Sequence, residues 1–355
     1  MASSSPFLLS LDDDLIYLVC VALRKPPFQG AQRPWNQSPR RQPTDLELFS
    51  VTCKRVREVA LPVVFAWLRV SCGWSKAAVE LQQLACHKHI TRHTRELTFV
   101  ASVDASDKNC GMVVTHAQVR EVTAQLLAVL EQLSARLTRL VVDFDSNQIH
   151  SSSQDSAISQ LQSVFATATS NDAPSMQFVK ELETDTITWA PLMKMCPGAT
   201  GLVVDLMQFA RGDHNSGVVD SSSLHRGLQR LAVRGSGMHT FKQISTAAAG
   251  ITELKLDFRW DFKEWTLLLE PFKQLQTLIL PDADTLDLGF EWPECGNFYY
   301  GMTSEDMRRF EESQEKDKRR AIAQAKEMVC PFLPNLGLLV IGKDIVEIPS
   351  RKPPV

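Results

Sequence analysis

Tyrosine is scarce, with 3 in 355 residues, and long apolar runs are missing. The longest, Leu15 to Leu23, is nine residues, against about 20 for a membrane-spanning helix. Asp12, Asp13 and Asp14 precede it where a secretory signal peptide carries Lys or Arg, so neither a span nor a leader is expected. No charge sign dominates: 38 Lys plus Arg face 41 Asp plus Glu, a net of −3. That balance argues against a general nucleic-acid binder, which needs an excess of positive charge facing phosphates. Cys-x-x-Cys pairs are absent. The cysteines at 20, 53, 72, 86, 110, 196, 295 and 330 are scattered, which points away from a disulfide framework and towards a reducing compartment, cytoplasmic or nuclear.

Catalytic signatures are absent too. The chain has no Gly-x-Gly-x-x-Gly, no Walker Gly-Lys-Ser/Thr, no His-Glu-x-x-His and no Gly-x-Ser-x-Gly. Gly235-Ser236-Gly237 has the wrong neighbours for a nucleophile elbow and reads as a turn ending a repeat. Cys86, His89 and His93 are spaced by three and four, so they would line one face of a helix. A closed zinc site needs four ligands, and only three are visible, so no metal and no cofactor is assigned. The expectation is a non-enzymatic protein.

What is present is apolar periodicity. Hydrophobic residues make up 44% and charged residues 22%, enough for a sizeable core, and the length suggests roughly two domains. From Ser10 to Leu23, apolar residues recur at helical steps, with the three Asp at the favourable end of the helix dipole. Residues 24–44 hold five Pro, five Lys or Arg and no acid. This composition reads as a disordered basic insert, and its charge also suits a nuclear-import signal. A helix capped by Asp45 follows, carrying Leu46, Leu48, Phe49, Cys53 and Val56 on one broad face. Another is expected over Val59 to Val70, with Pro62 in its first turn.

Beyond residue 94 a different rhythm begins. Leu-x-x-Leu-x-Leu runs occur at Leu137-Leu140-Val142, Val179-Leu182, Leu228-Leu231-Val233, Ile251-Leu254-Leu256, Leu275-Leu278-Leu280 and Leu336-Leu339-Ile341, with looser copies at Leu97-Phe99 and Leu202-Val204. The anchors at 182, 202, 231, 254 and 278 are 20, 29, 23 and 24 residues apart, the range of leucine-rich repeats. Amphipathic helices are expected at Val119–Leu137, at Asp155–Phe165, and from the Thr303-x-x-Asp306 capping box to about Cys330, where Pro331 stops the last one. The fold class is therefore α/β: a small helical module over 8–70, a connector over 71–93, an irregular repeat solenoid over 94–348 with parallel strands on one side and helices on the other, and a flexible tail at 349–355.

The helical module resembles a known family. Leu11-Asp12-Asp13-Asp14-Leu15-Ile16, and then Asp45 through Pro62 with its Ser-x-x-Cys-Lys-Arg-x-Arg-Glu core, is similar to the F-box, and the layout as a whole resembles the F-box and leucine-rich-repeat proteins common in fungi. Asp12 stands where the family usually has Pro, and the insert is longer than usual. The resemblance implies a substrate receptor of an SCF-type cullin ubiquitin ligase. Its F-box would meet a Skp-type adaptor through Leu11, Leu15, Ile16, Val19, Leu46, Phe49, Val51, Cys53, Lys54, Val56, Leu61 and Val64. So many apolar residues exceed what a three-helix core this small absorbs, which independently suggests a partner surface.

The repeats would then hold the target. Residues outward of the anchors include Glu96, Arg139, Glu181, Glu183, Arg230, Arg234, Glu253 and Lys255. Asp143, Asp185, Asp205 and Asp257 all sit three residues past an anchor, so part of this set could form a ladder of like charge able to receive a basic stretch; plain outward-facing polar alternation accounts for the same residues equally well. The proposed target contacts are Glu181, Glu183, Asp185, Asp205, Arg230, Arg234, Glu253 and Asp257. The competing reading is a repeat scaffold whose F-box-like helices only cap the solenoid, as terminal units of such arrays must.

Overall fold

Successive side chains of an extended strand point to opposite faces, so each Leu-x-x-Leu-x-Leu run offers one apolar side for burial. A computed structural model describes residues 12–23, 45–102, 114–144, 163–167, 174–185, 188–206, 227–235, 238–257, 262–291 and 301–349. In it every such run forms a strand. The strands are β1 (Trp67–Gly73), β2 (Glu96–Ser102), β3 (Arg139–Phe144), β4 (Glu181–Asp185), β5 (Gly201–Leu206), β6 (Arg230–Gly235), β7 (Glu253–Asp257), β8 (Thr277–Leu280), β9 (Leu338–Ile341) and β10 (Asp344–Glu347). They line up in chain order in one sheet, parallel except for the last pair.

One register runs through it. Leu68, Leu97, Leu140, Leu182, Leu202, Leu231, Leu254, Leu278 and Leu339 are successive partners in a single row, and from Leu97 onwards the row is buried. Burying one Leu contributes about 1.5–3 kcal/mol, so this row is a principal support of the fold. The backbone repeats as well. Arg95 and Glu96 both donate to the Ala66 carbonyl, Thr138 and Arg139 to that of Arg95, Lys180 and Glu181 to that of Thr138, and the pattern continues to Gly337 and Leu338 on Gln276. A parallel sheet this regular, one strand per repeat, is a leucine-rich-repeat-like solenoid.

Helices complete the core behind the leucine row. They are α1 (Asp13–Leu23), α2 (Asp45–Ser50), α3 (Lys54–Val64), α4 (Trp74–Cys86), α5 (Lys88–Thr91), α6 (His116–Leu133), α7 (Trp189–Met195), α8 (Met238–Ala247), α9 (Phe262–Leu267) and α10 (Ser304–Val329). Helix α6 opens with a Thr115/Gln118 capping box and α10 with the expected Thr303/Asp306 one. Ala321, Ala325 and Val329 fasten α10 to the core, while its charged first half lies at the surface, with Lys318 reaching Asp344 at 2.6 Å.

Several expectations change. The helix expected over Val59–Val70 is split: α3 ends at Val64 and residues 67–73 become β1, because pairing with β2 along seven residues outweighs local helical periodicity. Pro62 lies in the last turn of α3, where its missing N–H frees the carbonyl of exposed Glu58 to water. The segment expected as a connector, 71–93, instead holds the end of β1 and α4, whose Trp74, Ala77 and Leu81 are part of the main core. Helix α6 stops at Leu133, and Leu137 is buried ahead of β3. Helices α7 to α9 and the β9–β10 hairpin have no counterpart in the sequence reading. The insert 24–44 and the first part of the helix expected at 155–165 lie outside the described residues.

Candidate functional site

Helices α1, α2 and α3 build a small core of their own. Ile16, Cys20, Val56, Ala60 and Val63 are buried together, with Phe49, Cys53 and Val64 packed around them. Asp12 starts α1 through its carbonyl, which accepts from Ile16 N at 3.0 Å. The Cys53 thiol caps α3 by accepting from Val56 N at 3.4 Å. Arg55 ties α3 to the start of α1 through Asp13 at 2.8 Å; both side chains are well exposed, so the pair contributes under about 1 kcal/mol.

The rest of α1 is apolar and uncovered. Leu15, Tyr17, Leu18, Val19 and Val21 are exposed, Leu18 at 59%, and Leu48 and Val51 beside them at 52% and 62%. After Asp14 the helix has no polar residue except Tyr17 and Cys20, so turning it about its axis finds no face suited to water. A helix apolar all round requires burial, and among the described residues α1 receives it fully at Ile16 and Cys20 and in part at Leu23.

The expected adaptor residues divide accordingly. Leu15, Val19, Val51 and Lys54 are exposed, and Phe49, Cys53, Leu61 and Val64 are half-buried. Ile16 and Val56 are corrected: both are fully buried and hold the three helices together. Leu11 and the side chain of Leu46 lie outside the described residues. The sequence reading missed Tyr17, Leu18, Val21 and Leu48. It chose residues at helical steps, which mark the inward face; the missed signal was the lack of any polar face opposite.

The open face of the sheet is the second surface. On it Glu183 takes Arg139 on one carboxylate oxygen at 3.1 Å and Arg234 on the other at 2.7 Å, Arg139 also approaches Glu96 at 4.0 Å, and Arg230 bonds Glu181. Arg230 and Arg234 are on β6 and their partners on β4, so both pairs cross β5. The Glu181–Arg230 pair crosses at Gly201, where a Cβ would stand 2.4 Å from the Glu181 Oε2 that lies over it; the Glu183–Arg234 pair crosses at Val203 and Asp205.

The expected like-charge ladder is broken in its own row, where Arg234 on β6 stands between Asp205 and Asp257, and in the neighbouring rows Glu181 and Glu183 are paired with arginines. Asp185 is corrected as a target contact as well. It is 1% exposed and accepts from Thr188 N at 2.8 Å, Thr188 Oγ1 at 2.9 Å and Phe144 N at 3.0 Å. Asp205 and Asp257 remain exposed and Glu253 half-buried. Although Asp205 reaches water, the surrounding sheet pushes its pKa up by desolvation; Glu183 and Asp257 add to the shift and Arg234 opposes it.

Cys86, His89 and His93 do not share a helix face. The chain breaks at His87 (φ −92°, ψ 67°), leaving Cys86 at the end of α4, His89 in α5 and His93 in the turn beyond. Among the described residues no three His, Cys, Asp or Glu side chains gather closely enough to hold a metal, and no helix is long and apolar enough to cross a membrane. Gly235 adopts φ 84° at the end of β6, where a Cβ would stand 2.0 Å from Leu206 O, so a turn in glycine is required there; Ser236 and Gly237 lie outside the described residues.

No protein-family model and no curated protein matches the chain. Among solved structures, it is similar to the leucine-rich repeat-containing protein LegL7 from Legionella pneumophila, with 13% identity over 78% of this chain and 83% of that one and a TM-score of 0.30.

Proposed function

We propose that the chain is the substrate-recognition subunit of an SCF-type cullin ubiquitin ligase, docking a Skp-type adaptor through α1–α3 and a target protein through the solenoid. The observation that carries this reading is the uncovered apolar girdle of α1, continued by Leu48 and Val51, around a trio that already has its own core. The F-box resemblance at Leu11–Ile16 and Asp45–Pro62 supports it independently. Such a receptor performs no bond chemistry; it raises the rate by holding a target lysine near the charged ubiquitin carrier. With Glu181 and Glu183 engaged by arginines, Glu253 and Asp257 are the acids best placed to meet a basic segment of the target.

The test is co-purification of the full chain with a Skp-type adaptor and cullin. Leu18→Asp with Val51→Asp is expected to abolish capture while circular dichroism and the melting temperature stay near those of the parent. A second reading, a scaffold capped by the trio, is favoured by one feature: α3 runs into β1 through Phe65 and Ala66 alone, the place of a terminal cap. A chain that ignores the adaptor but loses solenoid stability when α1–α3 is disrupted supports that reading instead.

A further inference from the structure

The sheet ends at β10, which pairs with β9 on one side and has no strand on the other among the described residues. Gly342, at φ 59°, and Lys343 form the tight turn that joins the two strands. Ile348 donates its N–H to the Gly337 carbonyl at 2.9 Å. Opposed residues of an antiparallel ladder alternate between bonded and non-bonded pairs, so Val346 and Asp344 also bond to β9. The N–H and C=O groups of Ile345 and Glu347 therefore point out from the edge.

The side chains alternate as well. Val346 packs on the main core and Asp344 reaches Lys318 of α10, so both lie on the helix side of the sheet. Ile345 and Glu347 lie on the open face. Ile345 is 69% exposed, more than any other large apolar side chain among the described residues. It closes an apolar row that runs Ile279, Val340, Ile345 across the last three strands. Lys343 and Glu347 stand two residues to either side of it, both exposed, and among the described residues neither makes an ion pair. Edge strands are commonly guarded by charge, and a guard of one sign repels a second copy. Here the two signs are placed symmetrically about Ile345.

We propose that a second copy of this chain docks on the free edge of β10, antiparallel, about a two-fold axis through Ile345. In that register Ile345 meets its own copy, and the two exchange the outward backbone hydrogen bonds. Lys343 of each copy then faces Glu347 of the other, twice, so the strand is complementary in charge to itself reversed. Opposite charges set across a strand pair stabilise it and like charges destabilise it. The apolar row doubles to six side chains that run unbroken from Ile279 through both Ile345 residues to the second Ile279. The contact uses the same patch on both copies and closes at two, so it does not grow into a fibre. It does not rest on adaptor docking, because α1–α3 join the sheet at its opposite end, through β1.

Sedimentation equilibrium of the full chain over about a hundredfold range of concentration tests this. A second parent carries Leu18→Asp with Val51→Asp, so that the α1 girdle cannot contribute. Both are expected to pass from one chain to two as concentration rises. One strand pair buries less than the roughly 1,600 Å² of a standard interface, so the association is expected to be reversible. Ile345→Lys sets two ammonium groups on the axis and is expected to leave a single chain at every concentration. Lys343→Glu and Glu347→Lys each put like charges opposite one another and are expected to weaken the dimer about tenfold. Mixed in equal amounts, these two variants are expected to pair with each other at close to parental affinity, because both contacts are again opposite in sign. A parent that stays single throughout leaves the edge to an extended strand of another protein and overturns the proposal. So does a dimer lost with Leu18→Asp and Val51→Asp, a dimer that survives Ile345→Lys, or a mixture in which the two charge variants do not rescue each other.

Discussion

The carboxylate of Asp185 accepts the backbone N–H of Phe144 from the neighbouring strand at 3.0 Å. It joins β3 to β4 beyond their last backbone partners, Val142 and Thr184, and also holds the Thr188 turn that leads into α7. An acid on an outward slot has become an internal strut, because its lone pairs meet N–H groups that would otherwise be buried without partners.

Removing that strut is expected to be costly. Asp185→Ala leaves the Phe144 and Thr188 N–H groups unsatisfied, each worth about 1–3 kcal/mol. Urea denaturation should show a loss of about 3 kcal/mol, whereas Asp257→Ala at the exposed end of the same row changes stability by less than about 0.5 kcal/mol.

Gly201 makes room for the Glu181–Arg230 pair that crosses β5. A double-mutant cycle on Glu181→Ala and Arg230→Ala in the parent should give a coupling of roughly 0.2–1 kcal/mol, as half-exposed pairs do. In a Gly201→Val background the carboxylate is pushed off the strand and the coupling should fall to zero. Coupling that is unchanged there means the pair does not depend on the missing side chain.

Helix α1 separates inside from outside within three residues. Ile16→Ala empties a fully buried position of the trio's core and is expected to cost about 2–4 kcal/mol. Leu18→Ala, at 59% exposure, should be within about 0.5 kcal/mol of the parent. Hydrogen exchange of the α1 amides distinguishes the two, since the trio's core is distinct from that of the solenoid.

Thiol reactivity should follow burial. Cys196 is buried and desolvation pushes its pKa up to about 12, so almost no thiolate exists near neutral pH; burial likewise raises Cys20. Cys86 is exposed at the end of α4. A thiol reagent at mildly alkaline pH should label Cys86 rapidly, with Cys196 and Cys20 reacting only after denaturant is added. Prompt labelling of Cys196 in the native chain would contradict its position in the core.

The repeat strands were legible because their signal is local and redundant. Each Leu-x-x-Leu-x-Leu run encodes its own inward face, and regular spacing lets the runs stack, so the leucine row from Leu97 to Leu339 follows from pattern alone. The capping boxes of α6 and α10 are local in the same way. Strand β1 carries the same spacing at Phe65-Leu68-Val70, but residues 59–70 also fit a helical period, and pairing with β2 along seven residues decides for the strand. The open face was misread for a related reason. Alternation says that Glu181, Glu183 and Asp185 leave the leucine row, but it says nothing about what lies two strands away.

Sequence by itself thus determined which residues turn inward, since a period of two or of 3.6 is written in neighbouring letters. Tertiary structure decided which outward residues stay in water. Arg230 finds Glu181 across a glycine, Asp185 finds the amide of Phe144, and Leu18 stays 59% exposed, because each outcome depends on residues that only folding brings within a few ångströms.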